Sequence, residues 1–145
     1  MRQRKIPDQN DWEGYLGDLD AVYFHKLAFG RSLEELQEHF GETRSIERMD
    51  ELLFVPRPVF QYYVFAFVRF LKSTKAAGDS DSASAFLALL EAREERDPGS
   101  VSEIFDDLSD AIAFVASHQD YFDADPHIYD SFEERASRVR RACRS

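Results

Sequence analysis

Histidines and carboxylates are densest at His118-x-Asp120-x-x-Asp123-x-Asp125-x-His127, a donor set of the kind that holds divalent metals. The spacing argues for something plainer. It matches neither H-E-x-x-H nor the twelve-residue calcium loop with its glycine and terminal Glu. Asp125 followed by Pro126 also reads as an N-cap and first-turn pair, which gives that carboxylate a backbone task. A solvated acidic corner is expected here. Glu34, Glu35, Glu38 and His39 form a second cluster, but di-iron bundles need Glu-x-x-His twice. Residue 36 is Leu36, and no second copy exists. Nucleophilic catalysis finds no G-x-S-x-G and no glycine-rich phosphate loop. Cys143 stands near the chain end, and nothing pairs His25, His39, His118 or His127 with a nucleophile. The pattern predicts no catalysis, no metal and no cofactor.

Residues 32–52, SLEELQEHFGETRSIERMDEL, resemble a helix-turn-helix, with Leu33, Leu36, Phe40 and Gly41 at the core and turn positions. Gln37 replaces the usual small residue, and Glu42 the usual apolar residue after the glycine. The second helix would carry Glu47, Asp50 and Glu51 against Arg44 and Arg48. DNA binding depends on neutralising phosphates, so two short core-packing helices are the preferred reading. A regulator with a ligand pocket in an aromatic core is the alternative.

Charge says more. The net charge of −10 is uneven. Arg2, Arg4 and Lys5 lie at the start; Arg135, Arg138, Arg140, Arg141 and Arg144 lie at the end. Removing those eight from the 18 bases leaves ten against all 28 acids in residues 6–134, a net of −18. Residues 97–134 contain no Lys or Arg. Such a field repels nucleic acid and speeds encounter with basic surfaces. The carboxylates expected to face a basic protein partner are Glu103, Asp106, Asp107, Asp110, Asp120, Asp123, Asp130 and Glu134.

The elements that position them are all helical. Residues 56–78, PRPVFQYYVFAFVRFLKSTKAAG, predict a helix over about 58–77 that is apolar nearly all round and so buried nearly all round. Pro58 suits its first turn and Gly78 its C-terminal cap. Earlier, Trp12, Tyr15, Leu16, Leu19, Val22, Tyr23 and Leu27 keep a helical period, with a start near Asp18 and a stop at Gly30. Ser32 with Glu35, and Ser100 with Glu103, make capping boxes. Ser45 caps a third helix that ends before Pro56. Residues 78–82, GDSDS, read as a flexible link. The box at Ser100 opens a helix with Ile104, Leu108, Ile112 and Val115 on its core stripe and Asp106, Asp107 and Asp110 mostly off it. A terminal helix starting at Pro126 runs acidic to basic, as its macrodipole favours. No run alternates with period two. The expectation is an all-α, single-domain bundle of six or seven helices around the aromatic helix, with flexible ends at 1–10 and 143–145. A chain of 145 residues can bury such a core without disulfides, and its one cysteine forms no intrachain bridge. The opening residues lack an apolar signal region, and the central run is too short to span a membrane, so a cytoplasmic address is expected.

Small size, acidity, missing signal peptide and missing chemistry give the chain the overall character of the small cytosolic immunity proteins that bacteria pair with secreted toxins. The resemblance implies inhibition by occlusion: carboxylates over a toxin's basic cleft, with aromatic residues anchoring the rim.

Overall fold

The computed structural model describes residues 5–41 and 45–144, with backbone alone at 41 and 45–48. Among them there is no strand, and the fold is an all-α single domain. The helices are α1 (Leu19–Ala28), α2 (Leu33–Leu36), α3 (Ser45–Phe54), α4 (Arg57–Leu71), α5 (Ser80–Arg96), α6 (Phe105–Ser117), α7 (Pro126–Tyr129) and α8 (Phe132–Arg144).

The aromatic helix is α4. Pro58 sits in its first turn, and ten of its fifteen residues are buried, including Phe60, Tyr62, Tyr63, Phe65, Phe67 and Phe70. It packs against α2, the 3-10 turn Gln37–Gly41, α3 and α5. Phe67 stacks on Phe40 at 5.2 Å and meets Phe86 of α5 edge-on at 5.5 Å. Each buried ring of this kind contributes about 1.5–3 kcal/mol. Tyr63 reaches further: its hydroxyl lies 2.7 Å from the Ala28 carbonyl and 2.8 Å from that of Arg31, pinning the end of α1 to α4.

Several boundaries follow the local chemistry. Asp18 caps α1 by accepting from the Ala21 N–H at 3.1 Å, and Gly30 leaves the helix at φ +78°. The box at Ser32 closes in both directions, with bonds of 2.9 and 3.2 Å. The predicted cap at Ser45 lies outside the described side chains.

Other boundaries differ. The central helix ends at Leu71 rather than near residue 77, because Ser73 turns its hydroxyl back onto the Phe70 carbonyl (2.6 Å) and the chain becomes extended. Gly78, at φ +77°, therefore caps no α4 carbonyl; its N–H donates to Tyr121 in the turn after α6. Most of GDSDS is already helix, since Asp79 caps α5 through the Ser82 N–H. Asp125 does cap a helix at Pro126, but that helix lasts one turn. Asp130, at φ +63°, breaks it, and Ser131 accepts from the Glu134 N–H to start α8. Cys143, expected in a loose end, is helical and half-buried in the last turn of α8. On α1 the buried set is Ala21, Phe24 and Ala28, whereas Leu19 and Tyr23, and Leu16 in the 3-10 turn before the helix, stand exposed.

Candidate functional site

The acidic helix α6 is built as its spacing predicts. Ile104, Leu108, Ile112 and Val115 are buried, Asp106 and Asp110 are exposed, and Asp107 is half-buried. Its start is capped from elsewhere. Ser100 and Glu103 form no box. Glu94 of α5 instead turns its buried carboxylate onto the loop, accepting from the N–H groups of Gly99 (3.0 Å), Val101 (2.8 Å) and Ser102 (3.1 Å) and from the Ser102 hydroxyl (3.0 Å). Burial pushes this carboxyl up, but the four donors together outweigh it and hold it below its ordinary value.

Ser100 is used by the neighbouring residue of α5. Arg93 donates from Nε to its hydroxyl (3.1 Å), and Nη1 reaches the carbonyls of Leu53 and Val55 (both 2.7 Å). A guanidinium thus caps the end of α3 while its neighbour caps the approach to α6, each charge matched to the helix end it meets. Burial pushes Arg93 down to about 10.

Glu103 is the predicted site residue that the tertiary structure most changes. Arg57 of α4 donates to it at 2.7 Å, and Gln61 at 2.9 Å. The same guanidinium holds Asp97 through two bonds of 3.1 and 2.6 Å. The hydrogen bonds from Arg57 hold the Asp97 carboxyl down at about 2. Residues 97–134 lack bases in sequence, yet a base from α4 neutralises their first acids. The unpaired field is narrower than composition suggests.

What remains has a clear shape. Asp106 and Asp110 lie one turn apart on the solvent face of α6, in no ion pair among the described residues. Exposed Ala113 and Ser117 continue that face. Beside it runs an aromatic tier. His118 stacks on half-buried Phe114 at 4.2 Å, and exposed Tyr121 meets His118 at 6.1 Å. Exposed Asp120 and Asp123 share that turn, where Asp123 adopts φ +56°. Gln119 ties the turn to the last helix: its amide donates to the carbonyls of Ala124 (2.9 Å) and Asp130 (2.8 Å) and accepts from the Phe132 N–H (2.9 Å). Asp130 is thereby tied to the turn that carries Asp120 and Asp123, whereas Glu134 stands exposed in the first turn of α8 rather than along the face of α6.

The metal-like pattern is dispersed. His118 Nδ1 faces the Phe114 carbonyl (2.7 Å) and the Ser117 hydroxyl (2.9 Å), and Asp125 serves the His127 N–H. Among the described residues, no group of three His, Cys, Asp or Glu side chains comes together. His39 instead meets buried Glu51 at 2.8 Å, Lys75 holds Glu38 at 2.9 Å, and Glu35 serves its capping box. In the helix-turn-helix reading, the side chains of Arg44, Glu47 and Arg48 lie outside the described residues. No described helix is long and apolar enough to cross a membrane.

Arg57, Gln61, Arg93, Glu94 and Gln119 are the residues that sequence reasoning missed. For the α5 pair a signal existed, since positions 93 and 94 continue the buried stripe of Phe86, Leu89 and Leu90. A charge on such a stripe demands a partner. No family model matches the chain, and no curated protein or solved structure matches it.

Proposed function

We propose that this chain is an acidic protein-binding module that docks on a basic surface of another protein, in the manner of an immunity protein seated over a toxin's substrate cleft. The observation that carries the reading is the outer face of α6. It presents Asp106 and Asp110 outside any ion pair among the described residues, and it ends in the tier of Phe114, His118 and Tyr121. Carboxylates accelerate encounter with a cationic surface, while aromatic rings supply contact area and stack against Arg or Lys. Residues 119–134 extend the same sign of charge to the head of α8.

A salt-graded pull-down from cells of its source identifies the partner. Stopped-flow association is then compared between the native chain and the triple variant Asp106→Asn, Asp107→Asn, Asp110→Asn. Association should slow by about tenfold at low salt and become less salt-dependent, as steered encounters do. An unchanged rate and salt slope would remove α6 from the interface.

A further inference from the structure

A second surface lies on the far side of α8. Between α3, α5, α7 and α8 runs an open furrow with a cavity of about 480 Å³. A further cavity of about 410 Å³ shares Glu91 and Glu95 with it and carries the furrow on toward Pro98. The floor is low: Ser84, Ala88 and Ala92 follow one another at four-residue steps along α5. Met49 stands on one flank and Ile128, 72% exposed, on the other.

The walls are fixed in advance. Arg135, buried, donates to the Ser84 hydroxyl and carbonyl (both 2.8 Å) and to the Tyr129 carbonyl (3.2 Å), tying α8, α5 and α7 together. The Tyr129 hydroxyl donates to Asp81 at 2.6 Å. A pre-formed wall lowers the ordering cost of binding. Ile128 faces outward from a one-turn helix held this tightly, so a large apolar side chain is kept in water where no core contact requires it.

Charge then limits what fits. Arg138 is taken by Glu91 at 3.2 Å, and the Arg135 guanidinium is spent on neutral oxygens. Glu95 and Asp130 line the same furrow in no ion pair among the described residues. Its unmet requirements are apolar contact in the middle and cations at the rim.

We infer that this furrow seats an amphipathic helix of the protein partner, its apolar face on Ala88, Ala92 and Ile128 and its Lys or Arg side chains at Glu95 and Asp130. Helix-in-groove recognition has these requirements. The inference rests on the reading that the partner is a basic protein, but it uses a different surface from α6.

The test titrates the ¹⁵N-labelled full chain with a blocked Ala/Leu/Lys peptide of about 14 residues, long enough to form a marginal helix. Its leucines lie on one face with lysines beside them; the control is the same composition scrambled. Amide shifts should fall on Ser84, Ala88, Ala92, Glu95, Ile128 and Asp130. Ala88→Arg, which fills the floor, should weaken binding about tenfold or more, and Glu95→Lys should do so without touching the floor. Equal binding of the scrambled peptide, indifference to both substitutions, or the absence of furrow shifts would overturn the inference. Shifts confined to α6 would do so while leaving the α6 docking face intact.

Discussion

Replacing Glu94 tests how α6 is held in place. The carboxylate is 7% exposed and accepts from three backbone N–H groups and one hydroxyl. Glu94→Ala removes all four. The Val101 N–H, on a fully buried residue, has no water to turn to and costs about 1–3 kcal/mol when left unsatisfied. Gly99 and Ser102 are half-buried and recover part of their loss through solvent. Adding loss of the charge from a set of aligned N–H groups, about 0.3–1 kcal/mol, the variant should lose about 2–4 kcal/mol. At about 2–4 °C per kcal/mol for a chain of this size, Tm should fall by roughly 5–15 °C. Glu94→Gln is the sharper probe. Its one oxygen can stay on the side that serves Val101 and Ser102, which sets an amide N–H against the Gly99 N–H. That variant should lose about 1–2 kcal/mol, between the native chain and Ala. Urea denaturation followed by far-ultraviolet circular dichroism measures the series. The Glu94 carboxyl is held low in the folded chain. Its stabilisation is therefore present above its ordinary value of 4.5 and is lost as pH falls through the folded value. The gap between native and Gln should accordingly narrow in acid. Equal stability of Gln and Ala, or a gap independent of pH, would refute the capping account.

Arg93→Met strands the carbonyls of Leu53 and Val55, while the Ser100 hydroxyl keeps its bond to Asp97, and should cost about 2–5 kcal/mol in the same assay; a loss below about 1 kcal/mol would mean water replaces the guanidinium. Asp97 is held at about 2 by Arg57, so that contribution is complete above 3.8 and lost as pH falls through about 2. Arg57→Leu should be less stable than the native chain near neutrality, with the difference closing over that window; a constant difference would contradict the assignment. Burial pushes the Cys143 thiol up to about 11. At about pH 8, close to the pKa of a free thiol, Ellman's reagent should react slowly with the folded chain and quickly in urea; equal rates would place Cys143 in solvent.

Much of the fold is legible one residue at a time. The span from Val59 to Leu71 is apolar nearly all round, broken only by Gln61 and Arg69, and a helix with so little polar face lies mostly inside. Asp18, Ser32 with Glu35, and Asp125 are short polar side chains placed where orphan N–H groups must be met, and each meets one. The face of α6 follows from period alone, with four apolar residues inward and Asp106 and Asp110 outward.

Local pattern misleads where a distant side chain competes. Ser100 and Glu103 have the right types and spacing for a box, but their N–H groups go to the Asp97 and Gly99 carbonyls, and Arg93 and Arg57 claim the two side chains. Leu16, Leu19 and Tyr23 keep a helical period yet lie outside, because period marks a shared face and not what covers it.

The sequence by itself determined helicity, the buried centre and the sign of the surface charge, since these depend on residue types and on neighbours within a turn or two. Tertiary structure alone decided which charges remain available. Arg57 lies 40 residues from Asp97 and removes it and Glu103 from the field, while Gln119 ties the turn that carries Asp120 and Asp123 to the Asp130 carbonyl. Coulombic pairing acts through space over a few ångströms, and only the packing of α4 against the α5–α6 loop sets that distance.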